Sequence, residues 1–221
     1  MDLTARMTRL LGAFRRERNG AVADSMCFYG RQYGLNYGVS LPTLRSLARA
    51  EGTDYDFACY LYRQDVRELR LAAPFHIADP ARLTPAEFAF WGDGLLNSEM
   101  AEEGAFALFG RTESLPELFA AWIRPEAGWL RQYAALMAAS RAAAPRVEWI
   151  PQVLDAVHRA AVDGIRESHL LAQGAVAALV AIASTNEENR QTVLRAAGSP
   201  GSLPAEDFVH EELAWRLDPG L

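Results

Sequence analysis

The sequence predicts an all-α protein built from repeated helical hairpins. Two observations carry this. Strand patterns are nearly absent, whereas long runs rich in Ala, Leu, Arg and Glu place apolar residues three to four positions apart. These runs also pair: 84–96 with 98–110, 115–123 with 126–141, and 147–163 with 167–185. The pairs recur at roughly 30–40 residues, the period of helical hairpins that stack into a curved solenoid with a concave face.

The breaks between helices are short and chemically marked. Asn19-Gly20 closes the first helix, and 34–40 is a loop in which Ser40 can cap the next helix, with Pro42 in its first turn. Asp54 can cap a short helix to Tyr62. Asp65 opens a helix at Arg67 that is expected to end near Asp79-Pro80. Thr84-Pro85-Ala86-Glu87 combines a cap, a first-turn proline and an acid at the third position. Asn97-Ser98 breaks the chain before Glu99. Pro116, Pro125, Pro145, Gly164 and Glu187 mark later boundaries, and 198–204 leads to a last helix ending near Arg216. The expected total is roughly ten to twelve helices. No linker or low-complexity stretch intervenes, so residues 1–221 read as one domain.

Composition narrows the function. All 22 basic residues are arginines, and the net charge is −6. Residues 1–50 hold eight arginines against three acids, whereas 51–150 and 151–221 carry net charges of −6 and −5. A phosphate-binding face must therefore be local. No stretch is long and apolar enough for a membrane span or a signal peptide, which makes a cytoplasmic protein the expectation. Cys27 and Cys59 lack metal or disulfide spacing, and His76, His158, His169 and His210 form no ligand pair, so neither metal nor cofactor is expected.

Residues 29–45 are the most informative stretch: Tyr29, then Arg31, then Gly38-Val39-x-x-Pro42-x-x-Arg45. Downstream lies Arg67-Glu68-x-x-x-Ala72-Ala73, and Trp129 follows Trp122 by seven residues. Over residues 10–197 this pattern resembles the AlkD-type DNA alkylation repair proteins, whose fold is a HEAT-like helical-repeat solenoid. The resemblance implies recognition and excision of N3- or N7-alkylated purines in duplex DNA. Such a purine is already cationic, so its glycosidic bond is primed to break. Catalysis then needs a carboxylate near the developing oxocarbenium sugar and aromatic faces for the charged base, without full extrusion of the nucleotide.

Carried onto this chain, the resemblance puts the acid at Glu102, with Ser98 in place of a tryptophan. Trp91 offers another placement, but the position four residues on is Leu95, and Asp93 faces the other way round a helix. Glu99, Glu102 and Glu103 also suit a first-turn dipole role that needs no chemistry. Arg131 keeps one groove cation, and Gln132 replaces the next. Ala177 or Ala178, and Ala181, stand where a tryptophan and an arginine are expected. Tyr29, Arg31, Arg45, Trp129, Arg131 and Gln132 are the candidate nucleic-acid contacts, although Trp129 and the tyrosines also read as packing residues. These departures predict a member weak or inactive in catalysis, with duplex DNA as its partner. The alternative is a non-enzymatic scaffold that holds a protein or peptide on its concave face.

Overall fold

Side-chain caps fix six of the helix starts. Asp2, Asn19, Ser40, Asp54, Asn97 and Asn186 each accept a hydrogen bond from a backbone N–H two or three residues on, satisfying a donor that the helix leaves unpaired. The structure is a computed structural model that describes residues 2–199 and 203–217. Among these residues there is no strand, only an isolated bridge between Leu35 and Val66. The helices fall into two compact units, Met1–Leu108 and Phe109–Leu221.

Unit 1 contains α1 (Leu3–Arg16), α2 (Gly20–Phe28), α3 (Leu41–Glu51), α4 (Tyr55–Tyr62), α5 (Arg67–Ala72), α6 (Phe88–Asp93) and α7 (Ser98–Ala107). The Ser40 and Asp54 caps are those the sequence predicts. Asn19 acts as the cap of α2 rather than the end of α1, which closes at Arg16. The predicted helix from Arg67 to Asp79 stops at Ala72. Pro74 has no N–H to continue the ladder, and the chain unwinds through Phe75 and His76, the latter at φ 66°. Thr84 precedes a 3-10 turn at Pro85–Glu87 and makes no capping side-chain bond. Helix α5 sits at the middle of the unit and packs on α1, α3, α4 and α7.

Unit 2 contains α8 (Leu115–Trp122), α9 (Trp129–Ala139), α10 (Ile150–Val162), α11 (Ser168–Ala183), α12 (Glu187–Ala197) and α13 (Pro204–Leu217). Its centre is the Ala-rich α11, which packs against α9, α10, α12 and α13. Small side chains permit this close contact: a Cβ at Gly174 would lie 3.0 Å from Leu136 and 3.2 Å from Tyr133. The Ala175–Ala183 stretch is therefore a packing surface along most of its length.

Candidate nucleic-acid interface

The loop between α2 and α3 carries the Tyr29–Arg45 motif, and a buried ion network holds it. Arg67 is fully buried at the start of α5. Its Nε and Nη2 donate to the two carboxylate oxygens of Glu99 at 2.9 and 2.7 Å, a bidentate pair. Its Nη1 donates to the Val39 carbonyl at 3.0 Å and to Glu68 at 3.2 Å. Glu68 also accepts the backbone N–H groups of Tyr37 and Val39. The Tyr33 hydroxyl donates to Glu99 at 2.6 Å, and Asn97 Nδ2 donates to the Gln32 carbonyl at 3.2 Å. The loop is thus tied to α5 and to the start of α7 by charge-assisted bonds.

Burial pushes the Glu99 carboxyl up, but the hydrogen bonds and charge of Arg67, with Tyr33 and Arg31 adding to them, outweigh it. Glu99 therefore stays ionised below the usual carboxylate range. Burial, and then the charge of Glu99, raises the Tyr33 phenol and keeps it a donor. Glu99 is consequently a structural anion that neutralises Arg67. The sequence pattern marked Arg67-Glu68 but not this use, because Glu99 lies 32 residues from Arg67.

Among the candidate contacts in unit 1, Tyr29 is 77% exposed and Arg31 half-exposed, with Arg31 Nη1 3.8 Å from Glu99. Arg45 pairs with Glu103 at 2.5 Å and lies over the rings of Phe75 and Phe106. Glu102 is half-buried on α7. The tyrosine-rich segment divides: Tyr55 and Tyr62 are core residues, Tyr33 serves the ion network, and Tyr37 receives a hydrogen bond from Arg15. In unit 2, Trp129 and Arg131 are half-buried on the first turn of α9, whereas Gln132 is only 6% exposed.

One residue absent from the sequence-derived set stands out. Phe28 is 84% exposed and meets Tyr29 edge to face, with ring centroids 5.2 Å apart. An isolated exposed phenylalanine needs no explanation, but two adjacent aromatic rings turned to solvent form a platform, and Arg31 follows them in the chain. The available sequence signal was the pairing Phe28-Tyr29 followed by Gly30, whose φ of +80° ends the helix.

A family model described as DNA alkylation repair enzyme matches residues 10–200. The chain belongs to that family. Among solved structures, one matches with a TM-score of 0.71 over 100% of this chain and 95% of the other, at 15% sequence identity. It is described as belonging to a new family of proteins related to the HEAT-like repeat DNA glycosylases, with affinity for branched DNA structures. That likeness establishes the all-α, HEAT-like fold. No curated protein matches the chain. Among the described residues, no helix is long and apolar enough to cross a membrane.

Proposed function

We propose that this family member binds DNA where the duplex is interrupted, at a branch or junction, and excises alkylated bases weakly or not at all. The observation that carries this is the exposed Phe28–Tyr29 pair, with Arg31 two residues further along the chain. An intact duplex keeps its base faces stacked inside. A branch point leaves terminal base faces open, and an exposed ring can stack on them for about 1–3 kcal/mol per base. Arg31, half-exposed, supplies positive charge within the arginine-rich first 50 residues. The description of the structural neighbour as having affinity for branched DNA supports the same reading.

Excision asks for more. Of the three glutamates on α7, Glu99 and Glu103 neutralise Arg67 and Arg45. Glu102 is the acid at the position the family resemblance assigns to catalysis. Of the positions it assigns to aromatic faces and cations, Arg131 keeps a cation, whereas Ser98, Gln132, Ala177 or Ala178, and Ala181 provide neither. Gln132 is also buried, so the proposed contact set omits it.

The test is a fluorescence-anisotropy titration of the full chain with a four-way junction and a duplex of equal length, at two salt concentrations. The junction is expected to bind more tightly, with affinity falling as salt rises. Replacing both aromatics (Phe28→Ala with Tyr29→Ala) is expected to lower junction affinity about 10- to 100-fold, with little effect on thermal unfolding. Equal affinity for both DNAs, or a double variant that binds like the parent, refutes the reading. Release of N7-methylguanine or N3-methyladenine from alkylated DNA, abolished by Glu102→Gln, would restore the enzyme.

A further inference from the structure

The last helix, α13, is apolar on two opposite faces. Ala205, Val209, Leu213 and Leu217 recur every fourth residue and are buried. Phe208, Glu211 and Trp215 lie on the other side, within about 60° of one another at about 100° per residue. Phe208 is 36% exposed and Trp215 75%. A helix packed on one face ordinarily turns polar residues outward. A lone exposed ring would need no explanation, but two rings aligned seven residues apart form a second seam. Trp215 is also held in place. Arg216 lies 5.9 Å from its ring centre and is paired with Glu212 at 2.8 Å.

Charge decides what can cover that seam. Helix α13 carries four acids against one arginine, and Glu211 stands between the two rings. Among the described residues Glu211 makes no ion pair. An acidic seam repels phosphate, whether of nucleic acid or of an anionic membrane surface. Pairing α13 with its own copy across a two-fold axis would set Glu211 against Glu211. The occupant must therefore be cationic, and this chain carries such a helix. Helix α1 holds four arginines and no acid. Arg6 is buried in ion pairs with Glu51 and Asp54, which leaves Arg9, Arg15 and Arg16 on the outside.

We propose that α13 of one copy docks on the solvent face of α1 of a second copy, with Glu211 against Arg16 and the two rings on either side. Arg16 is exposed and makes no ion pair among the described residues. Its Nη1 lies 4.0 Å from where a Cβ on Gly12 would stand, so the guanidinium lies over that face of α1. Ala5, Thr8 and Gly12 line the same face, opposite the buried Leu10 and Phe14, and their short side chains leave depth for an indole. The complementarity extends past the two helices. Residues 1–50 hold eight arginines against three acids, and residues 151–221 five against ten. The two patches differ, so the contact is heterologous and copies join head to tail. This contact uses none of Phe28, Tyr29 and Arg31, so it does not depend on the junction-binding reading.

The test is sedimentation velocity of the full chain from micromolar to submillimolar concentration. The weight-average sedimentation coefficient is expected to rise with concentration and to fall back as salt rises. Trp215→Ala is expected to weaken association about tenfold or more, the effect of losing an aromatic anchor from the centre of a contact. Arg16→Glu and Glu211→Arg are each expected to weaken it as well. The chain carrying both is expected to recover it, because the two charges have changed places. That recovery separates a direct contact from an effect of net charge. Thermal unfolding of each variant is expected to match the parent, because Arg16, Glu211 and Trp215 are all exposed. A chain that stays monomeric throughout, association that survives Trp215→Ala, or a double charge reversal no better than the weaker single one overturns the proposal.

Discussion

Arg67→Ala is expected to destabilise the chain by about 3–5 kcal/mol, the range for breaking a buried ion pair by removing one partner. The argument rests on what remains. Glu68 and Glu99 are 0% and 2% exposed, and Arg67 is the cation that both of them touch within the interior. Removing it strands two carboxylates and also takes a donor from the Val39 carbonyl. Urea unfolding checks the magnitude. Adding Glu99→Gln to Arg67→Ala should recover part of the loss, because it neutralises one stranded charge. Arg67→Lys should still be clearly destabilising, since a single ammonium cannot reproduce the bidentate grip on Glu99. A loss below about 1 kcal/mol for Arg67→Ala, the size of an exposed ion pair, would mean the network contributes little.

The same network shapes the pH profile. The Glu99 pKa is lower in the folded chain than in the unfolded one, so its contribution is complete above the ordinary carboxylate pKa of about 4.3. That contribution is lost as pH falls through the depressed folded value. The alkaline side runs in the opposite sense. Burial raises the pKa of Tyr33, Tyr55 and Tyr62, and raises Cys59 to about 11. Their contribution is complete below the ordinary values, about 8.5 for a thiol and about 10 for a phenol, and is lost as pH rises through the raised ones. Stability should therefore be flat from roughly pH 5 to pH 8 and fall on both sides. Glu99→Gln should weaken the acid limb, and Tyr33→Phe the alkaline one.

The fold was legible because helix boundaries are written in local chemistry. Ser40, Pro42, Asp54 and Asn97 each mark a start through a donor or a backbone angle that the helix itself requires. The failure at 73–77 has the opposite character. Pro74 announces an interruption, but the positive φ of His76 has no signature in a histidine. The site was less legible because its logic is non-local. Glu99 reads as an ordinary first-turn acid until Arg67 is seen against it, and Arg45 reads as a phosphate contact until Glu103 and two phenylalanine rings are found around it. Phe28 ends an apolar helix, yet no residue of α2 is fully buried.

Gly38→Ala carries the second large effect and bears directly on the meaning of the motif. Gly38 has φ +69°, and a Cβ there would lie 2.1 Å from the Asn19 carbonyl oxygen and 2.8 Å from the Ala23 nitrogen. Both are backbone atoms that a rotamer change cannot move. They belong to the first turn of α2, where Asn19 also donates its N–H to the Tyr37 carbonyl at 2.7 Å. An alanine must therefore bear the left-handed strain, about 1–3 kcal/mol, and also push α2 off the loop. Gly52→Ala is the control, because φ there is +73° with nothing within 4 Å of the added carbon. Its cost should be the strain alone, so the excess at Gly38 measures the close approach. If Gly38→Ala costs no more than Gly52→Ala in urea unfolding, the two backbones separate freely and the packing argument fails. Because Asn19 begins α2 and Phe28 ends it, Gly38→Ala should also lower junction binding with both aromatic side chains intact. That result would make the motif's glycine a constraint on where the aromatic platform stands.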